Sequence, residues 1–94
     1  MVRRKIRKRL PDSYNYYKEV KIKSDVLASE YNIEDEFDKS RFYNLILNLC
    51  NQIIYNYTYV FTDADLFFIA DYNINLMQVL AVFNDDILKQ ISYV

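Results

Sequence analysis

Residues 38–57 read DKSRFYNLILNLCNQIIYNY. Phe42, Leu45, Ile46, Leu49, Cys50, Ile53, Ile54 and Tyr57 recur at steps of three and four, with Asn44, Asn48, Asn51 and Gln52 between them. That spacing lines one face of an α-helix. It predicts an amphipathic helix over 38–57 and, around it, a helical core. Cys50 falls on the apolar face, so it reads as core rather than as a nucleophile.

Toward the C-terminus the same logic continues. Thr62 to Asp65 matches a capping box, T-x-x-D, and opens DADLFFIADY at 63–72. Phe67 and Phe68 point to different sides of so short a helix, which makes both interface candidates. Asn75 to Gln78 is a second box, opening a longer helix, LMQVLAVFNDDILKQIS. Its stripe is Leu76, Val79, Leu80, Phe83, Ile87 and Ile91. Asp85 and Lys89 stand one turn apart on the opposite side, where they can pair.

Toward the N-terminus, Ser24 is placed to cap a short helix, DVLASEYNI. The acids Glu34, Asp35, Glu36 and Asp38 follow. Negative charge is stabilised at a helix start, so a structural role outweighs a divalent-cation site. The same acids offer a dock for a basic segment of a neighbouring copy. DYNIN, residues 71–75, imitates the opening of a calcium loop. Leu76 stands where that loop needs glycine and Val82 where it needs a carboxylate, so the stretch reads as a polar turn ending in a cap.

Residues 14–23, YNYYKEVKIK, alternate with period two and are rich in Tyr, Val and Ile. This reads as a strand. An unpaired strand would seek another chain or residues 53–61; the alternative is an extended arm lying on the helices. Tyr14, Tyr16, Tyr17, Val20 and Ile22 are accordingly interface candidates, since Tyr is enriched at protein interfaces.

Before them stands VRRKIRKRLP, residues 2–11. Arg3, Arg4, Lys5, Arg7, Lys8 and Arg9 are all basic, and nothing acidic precedes Asp12. The net charge of −1 conceals a division: residues 1–23 carry nine bases and two acids, and residues 24–94 three bases and eleven acids. Such a segment suits nucleic-acid backbone, an acidic protein surface or, more weakly, an anionic membrane. These six side chains are the candidate nucleic-acid contacts.

Composition excludes more chemistry than it suggests. The chain has no His and no Gly, and a single Cys. It therefore lacks the commonest general base, a phosphate-cradling glycine loop, a Cys-based zinc site and an internal disulfide. No catalytic constellation, metal site or cofactor motif is expected. Ten Tyr beside no Gly, no Trp and one Pro suggest an AT-rich coding sequence, as in a phage, another virus, a low-GC bacterium or a parasite. No apolar run is long enough to span a bilayer, and no apolar segment follows the basic start as a secretory signal requires.

The expected fold is mainly α: a three-to-four-helix domain at 24–94 and an extended, basic, Tyr-rich arm at 1–23 with the strand as one reading. The expected function is non-enzymatic, a structural or assembly subunit of a viral particle or ribonucleoprotein, located in the virion or inside the cell and not secreted. The body would pack on other protein subunits, copies of itself among them, and the arm would meet nucleic acid or an acidic neighbour. Two rivals are a soluble nucleic-acid-binding regulator and an acidic, DNA-mimicking inhibitor of a host protein.

Overall fold

The computed structural model describes the backbone of residues 2–93 and the side chains of residues 15–91. Among the described residues there are five helices and no strand: α1 (Val2–Glu30), α2 (Glu36–Tyr55), α3 (Asp63–Tyr72), α4 (Leu76–Val82) and α5 (Asn84–Tyr93). The mainly α fold is as the sequence indicates. The strand expected at 14–23 is not formed, and α1 runs through that stretch.

A second periodicity explains why helix wins there. Tyr16, Val20, Ser24, Ala28 and Tyr31 follow one another at three- and four-residue steps, with Leu27 beside them three positions after Ser24, and all but half-buried Tyr31 are buried. A strand would bury only alternate residues and would have no partner in a body made of helices. Tertiary burial outweighs the local β preference of Tyr, Val and Ile. The helical body thus begins by Asn15, before the boundary expected at Ser24. Ser24 is no N-cap; it sits inside α1 and its hydroxyl donates to the Lys21 carbonyl at 2.9 Å.

α1 and α2 form an antiparallel hairpin. At one end the Tyr16 hydroxyl donates to Asn51 Oδ1 at 3.3 Å; at the other the Tyr31 ring meets Phe42 edge-on at 6.0 Å. α5 packs across both. An ion pair of 2.6 Å between Lys23 Nζ and Asp86 Oδ2 ties it to α1. The Asp85–Lys89 pair expected from spacing is not among the ion pairs of the described residues. The core collects Val20, Ala28, Ile33, Phe42, Ile46, Cys50, Val79 and Phe83 at its fully buried centre.

The C-terminal half departs from expectation at one point. The helix anticipated from residue 76 onward breaks at Phe83, whose side chain is fully buried between α4 and α5. Asn84 to Asp86 then start a new helix with two acids in its first turn, where the dipole favours them.

Helix ends are set by a residue type the chain uses in place of glycine. Asn32, Asn56 and Asn73 adopt left-handed backbone, with φ of 60°, 56° and 54°. Glycine is the usual occupant of this position, and Asn is the other residue that enters it readily. After α1, Ile33 N bonds Ala28 O at 2.8 Å and Asn32 N bonds Ser29 O at 3.1 Å; after α3, Ile74 N bonds Ile69 O at 2.9 Å and Asn73 N bonds Ala70 O at 3.2 Å. Both are Schellman closures, and each turns the next residue, Ile33 or Ile74, into the core.

Candidate interaction site

Tyr31 is the last side chain before the α1 closure, and its position organises the neighbouring surface. Its ring leans on Phe42, while its hydroxyl accepts the backbone N–H of Asn75 at 3.2 Å. The Asn75 side chain in turn accepts Gln78 N at 3.3 Å. The reciprocal half of the expected capping box, Gln78 back to Asn75, is thus replaced by a tyrosine from α1. By contrast the box at α3 is complete, with Thr62 Oγ1 accepting Asp65 N and Asp65 Oδ2 accepting Thr62 N.

Where α1, the α3–α4 turn and α4 meet, a groove of about 650 Å³ opens beside Tyr31, with Ile69, Ile74, Leu76, Met77 and Gln78 among its walls. A second hollow of about 390 Å³ shares Tyr31 and Gln78 and extends along Leu27, Glu30, Val79 and Val82. Met77 is 79% exposed on the rim. Acidic groups surround this end of the molecule. Glu30 lines the second hollow, and Asp35, Asp38 and Asp71 act on the Tyr72 hydroxyl. That hydroxyl donates to Asp38, and this bond, with burial and the neighbouring carboxylates, pushes its pKa up to about 12.

Asp35 is the N-cap of α2 and accepts Asp38 N at 3.1 Å, with Glu36 and Asp38 in the first turn. The acids of 34–38 therefore begin a helix, as their sequence position suggests. Asn73 and Asn75 likewise serve as caps.

The interface candidates divide sharply. Tyr17, Ile22 and Phe67 are exposed. Tyr16, Val20 and Phe68 are not available: each is nearly or fully buried in the chain's own core, so their assignment as interface residues is corrected to core. Tyr14 and the six basic residues Arg3, Arg4, Lys5, Arg7, Lys8 and Arg9 lie outside the described side chains. Cys50 is fully buried, and burial pushes its thiol up to about 12, which keeps it protonated and inert at neutral pH.

Sequence reasoning missed the groove and the role of Tyr31. A signal was present: Tyr-Asn-Ile occurs at 31–33 and again at 72–74, each time where a helical pattern ends. In a chain without glycine, Asn before an apolar residue is the helix stop to look for. Comparison with family models, with curated proteins and with solved structures finds no match. No helix among the described residues is long and apolar enough to cross a membrane.

Proposed function

We propose that this chain is a non-enzymatic structural subunit of a larger assembly, a viral or phage particle or a ribonucleoprotein. Its helical body packs on protein, and its basic arm meets nucleic-acid backbone or an acidic neighbour. The observation that carries this reading is apolar surface left outside a core that is already closed. Val60 is 75% exposed, Phe37 70% and Phe67 69%, and Leu66, Tyr55 and Val26 are exposed too. Single exposed apolar residues are ordinary, but large side chains left open on every described helix and on the 56–62 loop favour a chain that completes itself against partners. The charge division supports the same view, because a strongly basic segment on an acidic body needs an acidic counterpart.

The test is purification of the untagged chain from its source. It is expected to sediment with a large particle in constant stoichiometry through a salt wash. Recovery as a free, monomeric protein would sink the reading. For the arm, fluorescence anisotropy on duplex DNA gives a second measure. If about five phosphates are neutralised, log affinity falls against log salt with a slope of about −4 to −5. The Arg3, Arg4, Arg7 and Arg9→Ala variant flattens it, and scrambled oligonucleotides bind equally well.

A further inference from the structure

We propose that copies of this chain associate head to tail, with residues 2–10 of one copy seated in the groove beside Tyr31 of the next. The inference rests on the assembly reading and names one partner, a second copy.

The groove and the segment match in two independent respects. The first is apolar spacing. Residues 2–10 read VRRKIRKRL, and Val2, Ile6 and Leu10 stand at i, i+4 and i+8, one stripe at helical spacing. An amphipathic helix recognised in a groove offers anchors of this kind. Tyr31, Ile74, Leu76 and Met77 offer apolar wall to receive them, and Val82 continues it. The second is charge. Every residue of 2–10 outside the stripe is Arg or Lys. Acids flank the receiving end: Glu30 lines the adjoining hollow that shares Tyr31 and Gln78 with the groove, and Asp71 precedes the Asn73 turn. Residues 15–91 carry twelve acids against six bases, so the body as a whole also attracts the segment. Complementary charge of this sort sets orientation and speeds encounter.

Geometry favours another copy over the same one. The segment joins the body at the Tyr16–Asn51 end of the hairpin, and the groove lies at the Tyr31–Phe42 end. Fifteen residues of helix separate the two, about 22 Å at 1.5 Å per residue. A segment at one end and its receptor at the other make a heterologous contact. Stacked in line, copies joined by such a contact extend to a ring or filament.

The experiment is sedimentation velocity on the purified full-length chain, nucleic acid removed, over a range of concentrations and salt. Wild type is expected to form a concentration-dependent series of species at low salt and to return to monomer at high salt. Two variants are compared: Arg3, Arg4, Arg7 and Arg9→Glu, and Glu30→Lys with Asp71→Lys. Each alone is expected to stay monomeric at low salt with unchanged helix content, since Glu30 and Asp71 are exposed. Mixing the two is expected to restore association, because each variant's segment then meets a groove of opposite charge. Association undiminished in either variant would overturn the inference. So would association only on adding oligonucleotide, which makes nucleic acid the segment's partner, or a concentration-independent effect of the arm variant, which makes the docking internal. A purified chain that stays monomeric while the source chain still sediments with a particle overturns this inference alone and leaves the assembly reading standing.

Discussion

α2 buries Phe42, Leu45, Ile46, Leu49, Cys50 and Ile54, in a body where α1 and α5 pack against it, whereas Phe68 is the one buried residue of α3. What α3 lacks in apolar contact it replaces with polar ties. Arg41 donates to the Ala64 carbonyl at 3.1 Å and lies 5.0 Å from the Phe68 ring. Tyr59 donates to Asp65 at 2.6 Å, and Tyr72 donates to Asp38. Each such bond, with one charged partner, contributes about 1.5–3 kcal/mol net at most, while truncating a buried aromatic costs about 3–5 kcal/mol. The trunk is therefore held by packing, and α3 by one aromatic plug and a set of hydroxyl–carboxylate latches. Its outer side, with Leu66 and Phe67, stays open to a partner.

The sharpest way to break this contrast is to remove one aromatic from each region. Phe83→Ala empties the fully buried joint of α4 and α5 and is expected to cost about 3–5 kcal/mol, toward the upper end of that range. Leu80 is only half-buried and its Ala variant should lose less. Phe68→Ala is expected to cost less in global unfolding, because α3 opens locally before the trunk yields. Hydrogen exchange should then quicken over residues 63–72 while α2 stays protected. Equal denaturation losses, with no selective exchange in α3, would erase the distinction.

Proton activity separates the regions again. Burial alone would raise Asp65, but hydrogen bonds from Tyr59 and Thr62 outweigh it and hold its carboxyl below the usual range. A depressed carboxylate pKa contributes stability that is present above the unfolded value near 3.8 and is lost as pH falls through the lower folded value. Acid should thus loosen α3 before the trunk. In alkali both regions respond: carboxylate partners raise the Tyr59 and Tyr72 hydroxyls that latch α3, and the trunk holds two groups raised by burial. Burial raises Cys50 from 9.0 to about 12 and raises Tyr16 as well. Between the unfolded and folded values the unfolded chain holds fewer protons, so stability falls as pH rises above about 9. Denaturant midpoints at pH 3, 7 and 10, read beside exchange in α3, check both signs. Acid sensitivity confined to the trunk would reverse the assignment.

How much of this was legible in the sequence depends on what each element needed. α3 could be read to the residue, because Thr62 and Asp65 cap each other and nothing distant intervenes. The apolar face of α2 was equally plain, since six of its eight marked positions are buried; Ile53 and Tyr57 remain exposed near the hairpin's open end. Residues 14–23 of α1 read as strand because Tyr16, Val20 and Ile22 satisfy period two, and only packing against α2 and α5 shows that Tyr16 and Val20 face inward while Ile22 faces out. The Lys23–Asp86 pair spans 63 positions, a separation no local pattern reports. The groove is built by three separate elements, so it too was invisible in any single stretch.

Thr62→Ala is a smaller test on the α3 side. Loss of an N-cap hydroxyl costs about 1 kcal/mol; here it leaves the Asp65 N–H without its acceptor, while the Asp65 carboxylate keeps its bonds from Thr62 N and the Tyr59 hydroxyl. The variant should shift exchange in α3 without a comparable change in the trunk. A uniform shift would mean that α3 unfolds only with the rest.

The finest comparison uses one pair of substitutions in two settings. Asn73 ends α3 and Asn32 ends α1, both with left-handed backbone, while Asn44 is an exposed position within α2. Asn→Ala at 73 or 32 keeps a Cβ in the left-handed region but removes the short polar side chain that makes the region tolerable, and is expected to cost about 1 kcal/mol. Asn→Gly at either site removes the Cβ altogether, so stability should hold or rise by under about 1 kcal/mol. At Asn44 the order reverses, because Ala is the better helix former by up to roughly 0.7 kcal/mol and Gly the worse. Position 32 should show the larger Ala penalty of the two caps, since Ile33 behind it is 1% exposed and Ile74 behind Asn73 is 7% exposed. Thermal melts of the six variants decide it. Ala and Gly ranking the same way at all three positions would remove backbone handedness as the reason this glycine-free chain ends its helices on asparagine.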